Sequence, residues 1–345
     1  MRIVYTVFSN LKYDQRVKQE LRTLSKRYDI YSISIGKNGK GKNLEVSTVN
    51  FPALRFLIVW VKLFFEINRI KPALIFFADI NTAPPALLCK VLYNIPIVFD
   101  MHEIGSEMKE KQNYFVKLFW KTIEFITLKN ADSVITVSNS LAGYIKAKVN
   151  RGVSVLYNYP SKAIWNVISM GDKRNICYVG NLSEDRGLEQ IVRAFKELNG
   201  YNLTIIGGGK LEKKLKFIAS DAANITFRGV VAAEKLPAEI AKYGAGIVMN
   251  EGKSVNNRLG LPNKIFQYIA TGIPFVCSNL PEMKKIANGT GAGIACSTDL
   301  ENIKKAIGTL AENYDIFQKK AMKYREIFIW EKQEKILLDL VKRYE

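Results

Sequence analysis

NICYVGNLSEDRGLEQIVRAFKELNGYNLTIIGGG, residues 175–209, decides the class of fold. Asn175–Val179 is a short apolar run of strand-forming residues. Gly187–Leu198 spaces its apolar side chains at a helical period, and Asn202–Ile206 is a second apolar run ending in three glycines. Strand, helix and strand in succession make a βαβ unit, and βαβ units build parallel sheets.

The alternation continues in both directions. Downstream, Leu211–Ala219, Glu234–Tyr243, Pro262–Ala270 and Leu300–Asn313 read as helices, and Ile225–Arg228, Gly246–Met249 and Phe275–Cys277 as strands. Upstream, strands are expected at Arg2–Phe8, Ile30–Ile35, Ala73–Phe77, Pro96–Asp100, Ser133–Val137 and Val153–Tyr157. Helices are expected at Asp14–Arg27, Ala53–Arg69, Pro85–Tyr93, Tyr114–Lys129 and Asn139–Lys148. The pattern lapses from Asn158 to Lys173, which puts a boundary near residue 160. Two α/β halves imply two Rossmann-like domains with a cleft between them. Ligands in such sheets sit beyond the carboxyl ends of the strands, so the loops there are where chemistry is sought.

A length of 345 residues suits two domains. With 48% hydrophobic and 24% charged residues the chain has a globular composition, which excludes disorder as its main state. Its formal charge is +19: 23 Lys and Arg against 12 Asp and Glu in residues 1–160, and 28 against 20 in the remainder. Such a charge attracts anionic partners, among them phosphorylated small molecules and acidic lipid headgroups. Because the excess is spread over both halves, with no basic tail, nucleic acid is not expected as a partner. Cys89, Cys177, Cys277 and Cys296 form no CxxC and read as reduced thiols of a cytosolic protein. The apolar run at the N-terminus is too short for a signal-peptide core, and no stretch is apolar enough to span a membrane.

Several loops carry candidate chemistry. Gly207, Gly208 and Gly209 let backbone amides approach a phosphate, although a tight turn without a ligand would use them equally well. Arg186 stands near the first turn of a helix, where its guanidinium can pair with a diphosphate; a solvated ion pair with Glu184 or Asp185 is the alternative. Lys264 falls in the first turn after Pro262, against the helix dipole, and a bound anion would relieve that repulsion. Gln267 is three residues on, on the same helical face. His102 is the chain's one imidazole and follows a strand end, flanked by Asp100 and Glu103, which could fix its tautomer or raise its pKa. The first turn, Phe8 to Asp14, contains no glycine, against a conventional dinucleotide site there. There is no DxD, Walker A, GxSxG or HExxH sequence, and one His rules out a His-based metal cluster. No metal and no cofactor are expected.

Arg55, Lys62, Glu66 and Arg69 fall within about 60° of one another on a helical wheel, with apolar residues filling the rest. A helix apolar nearly all round is buried or lipid-facing, and both readings stay open. Tyr114–Lys129 is a second aromatic, basic segment, and together the two permit attachment at a membrane interface.

These loops, in this order, resemble the family 4 (group 1) retaining glycosyltransferases of GT-B fold, in their polysaccharide-building branch. Asp14-Gln-Arg-Val-Lys-Gln-Glu is similar to the family's D-x-R-V-x-x-E, Asp100-Met-His-Glu to its D-x-H-E, and Ala131 to Ser138 to its A-D-x-V-I-x-V-S. Gly260-Leu-Pro-Asn-Lys-Ile-Phe-Gln-Tyr resembles G-L-P-N-K-x-F-E-Y, and Trp330-Glu-Lys-Gln the W-E-x-Q of the closing helix. The resemblance implies an acceptor-side domain over 1–160, a nucleotide-sugar domain over 161–325, and a helix over 326–345 returning to the first. It implies catalytic roles for His102, Arg186 and Lys264, and donor binding by Asn181, Gly207, Gly208, Gly209, Leu261, Gln267 and Glu251. Leu259 and Gln267 stand where the family has an E-x7-E pair, and Asn181 where it often has an arginine. Glu251, Asn256 or Asn257 could supply what Leu259 cannot.

The implied activity is metal-independent, retaining transfer from a nucleotide-sugar donor to a glycan or lipid-linked acceptor in cell-surface polysaccharide synthesis. The expected location is cytoplasmic, on the inner face of an anionic membrane. A nucleotide-sugar 2-epimerase of the same fold and a non-catalytic binding subunit are the competing readings.

Overall fold

The computed structural model describes residues 1–8, 11, 14–34, 42–43, 52–108 and 113–345, with side chains 42–43 and 52–55 outside that description. Ser9, Asn10, Lys12 and Tyr13 of the glycine-free first turn, and the Arg55 side chain, therefore lie outside the described residues. The chain forms two compact units, Met1–Tyr157 with Gln333–Glu345, and Asn158–Lys332. It is α/β with two parallel sheets, the GT-B plan.

In the first unit the strands are β1 (Arg2–Val7), β2 (Asp29–Ser34), β3 (Lys42–Asn43), β4 (Leu74–Ala78), β5 (Ile97–Met101), β6 (Ser133–Thr136) and β7 (Ser154–Val155). They lie parallel in the order β3-β2-β1-β4-β5-β6-β7. Helices α1 (Gln15–Leu24), α2 (Pro52–Ile70), α3 (Ala83–Tyr93), α4 (Tyr114–Asn130) and α5 (Asn139–Val149) connect them. Every residue of β4 and β5 is buried. Parallel strands covered on both faces read as unbroken apolar runs, and Asp100 is the one charged residue in the two. The strand order reverses between β1 and β4, so their following loops, with that after β5, frame the ligand side.

The second unit repeats the plan with β8 (Asn175–Val179), β9 (Asn202–Ile206), β10 (Ile225–Gly229), β11 (Ala245–Val248), β12 (Phe275–Ser278) and β13 (Gly293–Cys296). Their order is β10-β9-β8-β11-β12-β13, again parallel, with the reversal between β8 and β11. The helices are α6 (Leu188–Glu197), α7 (Glu212–Ile218), α8 (Leu236–Ile240), α9 (Val255–Leu259), α10 (Asn263–Ala270), α11 (Pro281–Thr290), α12 (Leu300–Glu312) and α13 (Tyr314–Arg325). Leu188, Ile191, Val192 and Phe195 of α6 are buried in a core with Leu203, Ile205, Ile303 and Ile307. The helix expected over Glu234–Tyr243 is shorter, Leu236–Ile240, with Pro237 inside its first turn.

After α13 the chain makes a 3-10 turn at Trp330–Lys332 and enters α14 (Glu334–Lys342). Glu331 accepts hydrogen bonds from Ser161 Oγ (2.8 Å) and Lys162 N, and Trp330 N donates to the Pro160 carbonyl. Two residues on, Gln333 Oε1 accepts from Tyr157 N at 3.0 Å. The W-E-x-Q residues thus tie the last crossing of the chain to the first. α14 buries Leu337, Leu340 and Val341, while Glu334 pairs with Lys26 at 2.7 Å and Tyr344 Oη meets Ser133 Oγ at 2.6 Å. No helix among the described residues is long and apolar enough to cross a membrane.

Candidate functional site

In the second unit, the switch point is where β8 and β11 diverge. They pair only at Ala245↔Ile176 and Gly246↔Cys177. Beyond that the buried Tyr268 hydroxyl of α10 fills the split, accepting from Val179 N at 3.2 Å and lying 3.3 Å from the Cys177 and Ile247 carbonyls. Gly246 leaves room for its ring, since a Cβ there would overlap it. This anchors α10 and the residues it carries. Tyr268→Phe leaves the buried Val179 amide without its acceptor, and a loss of about 1–2 kcal/mol in urea unfolding is expected; unchanged stability would refute the anchoring role.

Helix α10 presents Lys264 in its first turn and Gln267 one turn on. Burial, then the charge of nearby Arg186, lowers the Lys264 pKa to about 8. Neither cation makes an ion pair among the described residues. Arg186 has Asn250 Oδ1 as a partner, at 3.3 Å. Gln267 Oε1 is buried without a hydrogen-bond partner among the described residues. Two adjacent uncompensated cations and an orphaned acceptor are what an anion carrying hydroxyl donors would satisfy.

The alternative of an Arg186–Asp185 pair is not what forms. Asp185 adopts a left-handed backbone (φ 63°) and accepts from Lys253 N and Ser254 N, both at 2.9 Å, and from Asn257 Nδ2 at 2.7 Å. Burial opposes its charge, but these three donors lower its pKa. Asp185 therefore ties the loop after β8 to the loop after β11, and Asn257 is used there. Glu251 is ion-paired with Lys253. Leu261 is buried and Asn181 exposed.

The glycine turn after β9 has a packing role. A Cβ on Gly207 (φ 145°) would run into the Gly180 carbonyl, and one on Gly209 would meet Asn181 Oδ1 and the Leu182 carbonyl at 2.5 Å. Gly207 N donates to the Gly229 carbonyl, and the Gly208 carbonyl accepts from Leu182 N. The turn thus clamps the loop carrying Asn181 and Arg186, with the first of its three amides already committed.

The first unit holds His102 at the end of a buried chain of charges. Arg16 of α1 grips Asp100 through two hydrogen bonds of 3.0 Å and donates to the Leu156 carbonyl at 2.7 Å. Its Nε lies 3.0 Å from Glu20 Oε1, and Tyr5 Oη donates to Glu20 Oε2 at 2.5 Å. His102 Nε2 meets Asp100 Oδ2 at 2.6 Å. Burial works against the imidazolium, but Asp100 outweighs it and raises the His102 pKa to about 9. Burial would raise the Asp100 pKa; Arg16 and His102 lower it. Burial and the Asp100 charge raise Glu20 to about 8. At neutral pH His102 is therefore a charged donor. Glu20, Asp100 and His102 approach one another closely enough to hold a metal ion, but the Arg16 guanidinium bridges both carboxylates and supplies the positive charge there.

His102 borders a cavity of about 870 Å³. Phe56, Phe99, Met101 and Trp120 give it apolar walls, and Asp14, Asp79 and Glu103 add carboxylates. These residues come from β5, from the loops after β1, β4 and β5, and from α2 and α4. Asp79 has φ 68°, a left-handed conformation costly for a residue with a Cβ. The sequence pointed to His102 and Asp100, and the D-x-R-V-x-x-E likeness contains Arg16 and Glu20, but no role for Arg16 could be read locally because its pairing with Asp100 spans 84 residues.

Residues 173–313 match the family model described as Glycosyl transferases group 1. The uncharacterized glycosyltransferase MJ1069 of Methanocaldococcus jannaschii is 26% identical over 255 residues, 68% of this chain and 63% of that protein, so just under two thirds of that relative's length is matched. Among solved structures, HepE of Anabaena in complex with UDP superposes with a TM-score of 0.79 at 13% identity, over 99% of this chain and 100% of that one. Sucrose-phosphate synthase of Thermosynechococcus elongatus gives 0.78 at 15% identity, over 99% and 98%. The second unit thus carries a match to the group 1 glycosyltransferase domain over residues 173–313, and the chain as a whole has the GT-B fold.

Proposed function

We propose that the protein transfers a sugar from a nucleotide-sugar donor to a glycan or lipid-linked acceptor, with retention and without a metal, in cell-surface polysaccharide synthesis at the cytoplasmic side of a membrane. The observation that carries this is the Arg186–Lys264 pair with no carboxylate partner among the described residues, beside the orphaned Gln267 oxygen. The solved structure of HepE with UDP supports a nucleoside diphosphate as the anion.

A leaving diphosphate gains negative charge as its bond to the sugar breaks. Arg186 and Lys264 meet that charge with two cations already in place. Gln267, able to accept and donate, suits a ribose diol where the family has a carboxylate. In the retaining reaction the acceptor oxygen bonds to the anomeric carbon on the face the diphosphate leaves, and the acceptor proton passes to a departing phosphate oxygen. His102, charged at neutral pH, acts as a donor to a sugar hydroxyl and not as the base. The aromatic and acidic cavity of the first unit suits a sugar acceptor, with ring faces for stacking and carboxylates for hydroxyls.

Purified protein is expected to show a thermal shift with UDP, and to yield a glycosylated product with unchanged anomeric configuration, at a rate unaffected by EDTA. Transfer abolished by chelation would remove the metal-independent mechanism. Sugar conversion without any acceptor would favour the epimerase, and neither binding nor transfer would end the proposal.

A further inference from the structure

Helices α2, α3 and α4 pack side by side in the first unit, joined by the Phe64–Tyr93 and Trp60–Phe119 ring contacts at 6.4 and 6.5 Å. Their outer faces carry apolar side chains that none of the described residues covers. Phe65 on α2 is 66% exposed, Val91 on α3 81% and Phe115 on α4 77%, with Leu57, Val61 and Phe119 also in solvent. Exposed apolar area on this scale marks an interaction surface. The same three helices contain seven Lys and Arg against two Glu. Of those glutamates, Glu66 pairs with Arg69 at 2.5 Å and Glu124 is buried against Lys148 at 3.0 Å. Of the cations, Lys90 pairs with Asp132 at 2.6 Å, and Lys117 and Lys121 with Glu107 at 2.6 and 3.6 Å, while Lys62 and Lys129 are exposed.

We infer that this face docks in the plane of an anionic bilayer. Apolar side chains interleaved with cations fit the boundary between acyl chains and acidic headgroups. A second copy of the chain would oppose this face with the same positive charge. None of the three helices qualifies to cross the membrane, so the face lies on it. Phe56 of α2 and Val116 and Trp120 of α4 also form walls of the cavity beside His102. The docked helices thus connect the cavity to the bilayer, and a lipid-linked acceptor is the acceptor class this arrangement serves. That last step rests on the proposed glycosyltransferase reading, whereas the docking stands without it.

The test is flotation with phosphatidylcholine vesicles containing about one third phosphatidylglycerol, at low and high salt, for the full chain and for F65S/V91S/F115S. These substitutions fall on exposed positions outside the cavity and the second unit. Wild type is expected to float with the vesicles, less so at high salt, and the variant to bind at least about tenfold more weakly while keeping the same UDP-induced thermal shift. No flotation of wild type at low salt, or equal binding by the variant, overturns the inference. So does a wild-type dimer that the variant dissolves, which would assign the face to a second copy. Flotation as expected without a UDP shift supports docking and defeats the donor reading instead.

Discussion

Lys264→Ala and Arg186→Ala are each expected to weaken nucleoside diphosphate binding by about 10- to 100-fold, since hydrogen bonds to charged groups contribute about 1.5–3 kcal/mol. Sugar transfer should fall further, by about 10²–10³-fold, because the charge these cations meet grows as the bond breaks. Isothermal titration with UDP and single-turnover rates separate the two effects. The Lys264 pKa near 8 in the unliganded protein adds a pH signature. A bound diphosphate favours the ammonium, so UDP affinity should be highest below about pH 8 and decline, at most tenfold per unit, as pH rises through it. Lys264→Arg should remove that slope, a guanidinium staying charged throughout. The lysine also costs stability when no anion is present. Its folded pKa is depressed, so the unfolded chain binds more protons between about pH 8 and its ordinary value, and stability should rise with pH across that window. Lys264→Met is accordingly expected to raise the melting temperature of the unliganded protein while removing UDP affinity. Loss of both together would mean that Lys264 is structural.

Arg16→Met is expected to cost about 3–5 kcal/mol, because it removes the guanidinium that grips the buried Asp100 carboxylate and contacts Glu20, leaving Asp100 with His102 alone. Urea unfolding at neutral pH measures the loss. Adding Asp100→Asn and Glu20→Gln should restore more than half of it, and a failure to recover would show that Arg16 acts through packing. His102 reports the same network through pH. Its folded pKa, near 9, exceeds its ordinary value, so the stability it contributes is fully present below about pH 6.5 and is lost as pH rises through 9. In Asp100→Asn that dependence should largely disappear, since Asp100 is what holds the imidazolium charged.

The parallel sheets were legible because buried strands such as LIFFA and IVFDM admit no polar alternation, and because helices of clear period separate them. Lys264 was legible as a charge set against a helix dipole. β13 and α11 were not: Gly293–Cys296 is short and poor in large apolar residues, and Pro281–Thr290 ends in an Asn-Gly-Thr sequence that reads as a turn. The site's supports were hidden for another reason. Asp185 reaches residues 253–257 and Arg16 reaches Asp100, so each takes its meaning from chain far away, which periodicity and local spacing do not report. The glycines after β9 read equally as an amide cradle or as a tight turn, and the folded loop shows backbone approaching backbone where any side chain would intrude.

One feature of the chain path bears on how the molecule is made. The first unit is interrupted, its last helix arriving only with residues 334–342, whereas residues 158–332 are contiguous. During vectorial synthesis the segment translated later has all its parts first. The earlier segment waits on the ribosome with the face of α1 that meets α14 unsheltered until residues 334–342 emerge, so loss of that helix would expose the half of the protein that was begun first.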